Sequence, residues 1–266
     1  MDTNYKKVFG YLWAMFLVLM AYHAVLYFSY LKIGEETVFN NWIVVFIGLP
    51  MVYGAFFGLH SLFKHGLQGV NQKGLLFASL ANLSFGFGFF TWAYYTIILN
   101  NDFPFPSYAD YFWLFNELFN IFAFYYFFKL YRNSITKTKI VSAIVFILIG
   151  GYIISKFIGL PEWSIESGVS LDETFFNLFY SISDLLLLII SVVILTVSGG
   201  KIYRGLFVYN LAIICMIVGD LFFAYREENE IVWQGDISDV FFTIAGFLAS
   251  LGIIMIVKDF QNRRLN

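Results

Sequence analysis

Charged residues and cysteine are scarce in this chain of 266 residues. Only 13% of the residues are Asp, Glu, Lys or Arg, and 60% are hydrophobic, which excludes a water-soluble globular protein. Intrinsic disorder is also excluded, because it requires low hydrophobicity and high charge. The single cysteine, Cys215, excludes an intrachain disulfide. A net charge of −2 without a long basic run predicts that nucleic acid is not a partner.

What the sequence has in abundance is apolar runs of about 20 residues, the length that crosses a bilayer as a helix. The runs lack the alternation of an outer-membrane barrel, so each predicts a helix. The eight predicted segments are approximately Val8 to Tyr30, Asn41 to Phe63, Gly74 to Leu99, Ser107 to Phe128, Ile140 to Gly159, Thr174 to Val197, Tyr203 to Tyr225 and Ile237 to Val257. We therefore predict an all-α polytopic membrane protein with eight transmembrane helices in the lipid bilayer.

Basic residues fall on one side of this topology. Of the 16 lysines and arginines, all but Lys32, Lys156 and Arg226 lie at the N-terminus, at the C-terminus or in the loops that follow even-numbered segments. The positive-inside rule then places both termini in the cytoplasm. We expect an integral, multi-pass protein of a prokaryotic cytoplasmic membrane, with an outer loop from Lys156 to Glu173.

The two halves of the chain show a weak similarity. Gly74 and Gly205 open the third and seventh segments, and Asp110 and Asp239 begin the fourth and eighth. The spacing predicts a tandem repeat of four helices each, residues 1–132 and 133–266, related by an axis along the membrane normal.

The informative residues are polar side chains inside the predicted segments. An ionisable residue near the bilayer centre costs about 2.5–3.5 kcal/mol on insertion scales, so it is a functional hypothesis by default. These residues fall on single faces of the fourth, sixth, seventh and eighth segments, in their outer half or middle, and we expect them to line one outward-opening cavity. The predicted ligand-binding residues are Asp110, Glu117, Asp184, Asp220, Asp239, Asn177, Ser181 and Asn210.

No lysine or arginine lies at the depth of Glu117 or Asp184, which argues against ion pairs inside the membrane. Three possibilities stay open: the acids hold protons, they accept hydrogen bonds, or they bind an external cation or polyol. The structural alternative is that they form interhelical hydrogen bonds that hold the bundle together, worth about 0.6 kcal/mol each.

Other chemistry finds little support in the sequence. His23 lies toward the outer face of the membrane and His60 toward the inner face, and no segment carries an internal lysine for a retinal Schiff base. We therefore predict no metal site and no cofactor. Asp184 and Asp220 lack the Tyr-Asp and Gly-x-Gly-Asp motifs of intramembrane aspartyl proteases. Gly54 and Gly58 make a small-residue face on the second segment, which is typical of close helix packing and also compatible with a homodimer.

Four short motifs resemble the multi-pass sensor regions that precede diguanylate cyclase (GGDEF) domains in bacteria. They are Phe105 to Phe112 at the start of the fourth segment, Tyr180 to Leu188, Gly219-Asp220-Leu221, and Asp239 at the start of the last segment. Those regions have a proline before the aspartate of the sixth segment, where this chain has Ile182 and Ser183. Since only Lys258 to Asn266 follow the last segment, the resemblance implies either the sensory part of a longer protein or a stand-alone relative with a separate output protein.

We therefore expect a receptor-like module that binds a small ligand in an acidic, outward-facing cavity and signals to a cytoplasmic partner. The alternative is a small proton- or cation-coupled transporter that uses the carboxylates near the membrane centre. A membrane enzyme that acts on lipid is a third interpretation, and we favour a non-enzymatic role.

Overall fold

The computed structural model describes residues 2–66, 69–100, 104–131, 170–198 and 204–265, together with a few residues between 136 and 152. Over these ranges the chain forms seven long helices and no strand. They are α1 (Asp2–Ile33), α2 (Val38–His65), α3 (Val70–Ala93, extended by a π-helical turn, Tyr94–Ile98), α4 (Tyr108–Tyr131), α5 (Leu171–Ser198), α6 (Arg204–Glu228) and α7 (Ile237–Leu265).

All the helices except α4 are long and apolar enough to cross a membrane, which is compatible with an integral multi-pass membrane protein. The helix α4 is of similar length but carries Asn116, Glu117 and Asn120, and it is not among these six. The predicted fifth segment, Ile140 to Gly159, and the loop from Lys156 to Glu173 lie largely outside the described residues. The all-helical prediction is therefore confirmed, and the count of eight stays a prediction.

The helices form a bundle in which α7 is central. It packs against α6 most extensively and also contacts α1, α2 and α3. From α2 the ring continues through α3, α4 and α5 to α6, and α1 lies outside it. The largest side chains of the core come from the inner faces of this ring, among them Phe89, Phe124 and Tyr209. Large apolar residues such as Val18 and Phe28 are exposed, as expected for surfaces that face lipid.

The small-residue face of α2 is used within the chain. A Cβ atom added at Gly54 would overlap Ser250 of α7, and one added at Gly58 would overlap Ser79 of α3. The hydroxyl of Ser250 also donates to the carbonyl of Pro50, at 2.6 Å. This face therefore serves internal packing, and the predicted homodimer would have to use another surface.

Candidate functional site

Three carboxylates from three different helices meet inside the bundle. Glu117 of α4, Asp184 of α5 and Asp220 of α6 each place one carboxylate oxygen within 4.8 Å of the other two. Glu117 is buried, whereas Asp184 and Asp220 are half-buried. We call these three residues the acidic triad.

The direction of the helices explains why the triad forms. Asp110 and Glu117 of α4 face Tyr180 and Asp184 of α5 in the same order, so these two helices run parallel. Along α6 the order is reversed, because Asp220 faces Asp184 whereas Asn210 lies beside Ser191, seven residues further along α5. Asp184 lies about 20 Å along α5 from Leu171, at 1.5 Å per residue, which is near the middle of the helix.

Glu117 is the most enclosed member of the triad. Its side chain is 4% exposed. Its Oε1 atom lies 3.5 Å from Nδ2 of Asn116, a long contact for a hydrogen bond. Its Oε2 atom is buried and receives no hydrogen bond from the part of the chain that the structure describes. A buried acceptor without a donor costs about 1–3 kcal/mol, so this atom calls for a partner.

The triad has no basic neighbour on its own helices. The basic residues of α4 and α6, namely Lys129, Arg204 and Arg226, lie near helix ends, and α5 has none. Arg226 instead forms an ion pair with Asp236, at 2.7 Å. Two carboxylates about 5 Å apart repel by roughly 3 kcal/mol at an effective dielectric constant of 20. All three acids can therefore be ionised together only if a cation balances them, and otherwise at least one of them holds a proton.

A chain of polar contacts leads away from the triad along α4. The Nδ2 atom of Asn120 donates to Oδ1 of Asn116, at 3.0 Å, and the hydroxyl of Tyr209 donates to Oδ1 of Asn120, at 2.6 Å. Together with Asn82 and Met216, these residues line a small internal cavity. The chain links Glu117, through Asn116, to the first turns of α6.

Asp110 and Asp239 lie at helix starts, apart from the triad. Oδ2 of Asp110 accepts hydrogen bonds from the backbone and hydroxyl of Ser107, and its Oδ1 accepts one from Tyr180 at 2.9 Å. Oδ2 of Asp239 accepts one from the backbone of Gly235, at 2.6 Å. Both carboxylates accept hydrogen bonds from the backbone just before their own helices, as acidic residues in a capping box do.

The uncharged candidates are bonded locally. The hydroxyl of Ser181 donates to the carbonyl of Asn177, at 3.0 Å, as is usual within a helix, and Asn177 is exposed. Asn210 donates to the carbonyl of Ser191, at 3.2 Å. Of the eight predicted residues, the structure thus brings three together, and ligand binding by any of them stays a prediction.

Asn116, Tyr180 and Tyr209 were not among the predicted ligand-binding residues. Asn116 is adjacent to Glu117, and its neighbour Asn120 is one turn further along the helix. Tyr180 precedes Asp184 by one turn. A search for polar residues within one turn of each buried acid would have found Asn116 and Tyr180, whereas Tyr209 is recognisable only once the helices are packed.

Comparisons with protein-family models, with curated proteins and with solved structures found no match to this chain. The function therefore has to be inferred from the site itself.

Proposed function

We propose that this protein is a receptor-like membrane sensory module that binds a small cationic ligand at the acidic triad and signals to a cytoplasmic partner. The observation that carries the proposal is the meeting of three carboxylates, one from each of three helices. A ligand held between three helices can change their relative positions, which a ligand bound to one helix cannot do. The resemblance of the four motifs to bacterial sensor regions supports the same function.

Signalling requires that the ligand binds one arrangement of the helices better than another. A cation between the carboxylates removes their mutual repulsion and favours a closer approach of α4, α5 and α6. The hydrogen bonds from Asn116 through Asn120 to Tyr209 offer a route by which this movement reaches the first turns of α6. These turns lie at the end of the bundle that the basic residues assign to the cytoplasm.

The proposal includes the predicted topology of eight spans with both termini in the cytoplasm of a prokaryotic cell. The parallel direction of α4 and α5 supports it, because two parallel spans must be joined by a stretch that crosses back. Thiol labelling of whole cells tests the sidedness, with Cys215 replaced by Ala. An impermeant reagent should label Glu35→Cys in intact cells and Lys64→Cys only after lysis, and the reverse pattern would overturn the orientation.

The sensory function is tested by distance measurements between spin labels at the predicted cytoplasmic end. In the full chain in nanodiscs, with Cys215 replaced, labels at Lys129→Cys and Arg204→Cys report on α4 and α6, since both positions are exposed. Protons, Na⁺, K⁺, Ca²⁺, Mn²⁺ and spermidine are added separately. We expect at least one of them to shift the distance distribution, and the triple variant Glu117→Gln, Asp184→Asn, Asp220→Asn to abolish that shift. The proposal fails if no cation shifts the distribution or if the triple variant responds equally.

A cation-coupled transporter is the second candidate, and one observation favours it. Within the described residues, Oγ of Ser191 and Oδ1 of Asn210 are buried without a hydrogen-bond partner, and they lie between α5 and α6 beyond Asp184. These atoms continue the polar surface of the triad toward the predicted cytoplasmic end. Cation flux into proteoliposomes that is lost in Asp184→Asn would support transport, whereas a label response without flux would support the sensor.

A further inference from the structure

The oxygens of the acidic triad are spaced like the ligands of one metal ion. One oxygen of each carboxylate lies within 4.8 Å of the other two, so all three lie at most about 2.8 Å from a common centre. Ca²⁺ binds oxygen at about 2.3–2.6 Å and Mg²⁺ at about 2.0–2.1 Å. Three oxygens held this close can supply half of a six-ligand Ca²⁺ coordination sphere, whose geometry is flexible, whereas Mg²⁺ demands a nearly ideal octahedron.

The lack of a donor at Glu117 is a separate observation that points to a ligand. Its Oε2 atom is buried and receives no hydrogen bond within the described residues, although the side chain is only 4% exposed. Buried side-chain oxygens in folded proteins nearly always have a partner. A metal ion at the centre of the triad would supply the partner that the neighbouring side chains do not.

Access and charge fit the same ligand. Asp184 and Asp220 are half-buried, so an ion can reach their carboxylates more easily than that of Glu117, which is buried. The donor set holds only carboxylate oxygens, which favours the hard cations Ca²⁺, Mn²⁺ and Mg²⁺ over Zn²⁺ or Cu²⁺. A divalent ion cancels two of the three charges and leaves the third for a proton or a second contact.

We infer that Glu117, Asp184 and Asp220 bind one hard divalent metal ion, with Ca²⁺ and Mn²⁺ preferred over Mg²⁺. This inference rests on the proposed function for its site, and it specifies the chemical class of the ligand. The water molecules of the ion would complete its coordination at the half-buried side of the triad.

The test is binding of Mn²⁺ alone to the full chain in nanodiscs of zwitterionic lipid. Binding is measured by the loss of the electron paramagnetic resonance signal of free Mn²⁺. We expect one saturable site per chain, from which Ca²⁺ displaces Mn²⁺ at lower concentration than Mg²⁺ does. Glu117→Gln and Asp220→Asn should each weaken Mn²⁺ binding at least tenfold. Asp172→Asn, near the start of α5 and exposed, is the matched control and should bind like the unmodified chain.

The metal site can be tested even if one of the variants does not fold. If Glu117→Gln does not fold by circular dichroism and gel filtration, Glu117→Asp and Asp220→Asn provide the same test. Absence of a saturable Mn²⁺ site, or equal binding by the variants and the control, would overturn the inference. If spermidine or protons still move the spin labels in that case, the proposed function stands without the metal. If Mn²⁺ binds at the triad and no label moves, the metal site stands and the sensory function fails.

Discussion

Two helical hairpins of this molecule, α3–α4 and α6–α7, pack in the same way. In the first, Gly74 and Gly88 of α3 allow Phe127 and Trp113 of α4 to approach. In the second, Gly205 and Gly219 of α6 do the same for Ile256 and Phe242 of α7. The glycines are separated by 131 positions and the large residues by 129, as 205 − 74 and 256 − 127 show. A Cβ atom at any of these glycines would come closer than 3.0 Å to its neighbour.

The starts of the second helices correspond as well. The backbone N–H of Ala109 donates to the hydroxyl of Ser107 at the start of α4, and that of Ser238 donates to the carboxylate of Asp236 at the start of α7. These pairs are also 129 positions apart. The predicted division of the chain at residue 132 stays a prediction, but the two hairpins can be compared position by position.

The comparison separates the residues that pack each hairpin from the acids of the triad. At the position that corresponds to Glu117 of α4, α7 has Gly246, which faces Met51. At the position that corresponds to Asp220 of α6, α3 has Phe89, which packs against Trp92 and Phe242. The acids of the triad are therefore unnecessary for building such a hairpin, and the same packing is compatible with an apolar residue in their place.

The largest effect is expected when an acid is placed on α3, at the position that corresponds to Asp220 of α6. Phe89→Asp should destabilise the fold by about 5 kcal/mol or more, because it loses a buried aromatic ring and buries a carboxylate without a partner. Phe89 is 1% exposed. Phe89→Ala, measured by the same denaturant titration in detergent, isolates the loss of the ring. If the two variants are equally stable, Phe89 lies in a more polar place than the structure indicates.

The next largest loss of stability is expected when the first glycine of each hairpin is replaced by alanine, because different atoms face the two glycines. A Cβ atom at Gly205 would lie 2.6 Å from the backbone nitrogen of Ile256, whereas one at Gly74 would meet the ring of Phe127, at 2.5 Å. A backbone cannot move aside as a ring can, so Gly205→Ala should cost about 3 kcal/mol and Gly74→Ala about 1 kcal/mol.

Thermal unfolding of both variants and of Gly10→Ala measures this difference. Gly10 has nothing within 4 Å of an added Cβ, so its variant should be as stable as the unmodified chain or slightly more stable. An equal loss at Gly74 and Gly205 would show that α6 and α7 can separate as readily as α3 and α4.

A smaller effect is expected at Tyr209, whose hydroxyl donates to Asn120. Tyr209→Phe should cost about 1 kcal/mol, the net value of one hydrogen bond. If the chain of Asn116, Asn120 and Tyr209 carries the signal, the variant should also reduce the cation-induced shift between labels at Lys129→Cys and Arg204→Cys. Tyr22→Phe removes a hydrogen bond of similar length, at 2.7 Å, from the tyrosine hydroxyl to the backbone carbonyl of Phe39 between α1 and α2, and it should leave the label response unchanged. An equal response in both variants would exclude Tyr209 from the route.

The sequence was sufficient to predict the positions of the helices that the structure describes. The length of an apolar run and the polar residues at its ends follow from one-dimensional information, and α1, α2 and α7 extend the predicted segments by only a few residues, except for the charged N- and C-terminal ends. Pro50 falls inside α2 and does not end it.

The convergence of the triad could not be predicted in the same way. Glu117, Asp184, Asp220 and Asp239 all have polar companions on their own helices, so the sequence treated them as equivalent. Only the order of the helices around the bundle distinguishes the three acids of the triad from Asp239. That order places α5 between α4 and α6, whereas α7 packs on the other side of α6. Which helices are neighbours depends on contacts between residues far apart in the chain, which a single sequence does not reveal.

The smallest effect on stability, and the most specific one, is expected at Asp220. Without a divalent ion, Asp220→Asn removes an acid that could stay ionised only against repulsion within the triad. The free energy of unfolding of the variant should therefore be at most about 1 kcal/mol below that of the unmodified chain, or above it. With Mn²⁺ at 100 times its dissociation constant, the unmodified chain should gain about 2.7 kcal/mol and the variant much less. Asp239→Ala, which removes the oxygen that accepts the hydrogen bond from the backbone of Gly235, should lose about 1 kcal/mol and keep the full gain from Mn²⁺. If Asp220→Asn instead destabilises the chain by several kcal/mol whether or not Mn²⁺ is present, the triad holds the bundle together through hydrogen bonds, and the difference between the two hairpins is structural.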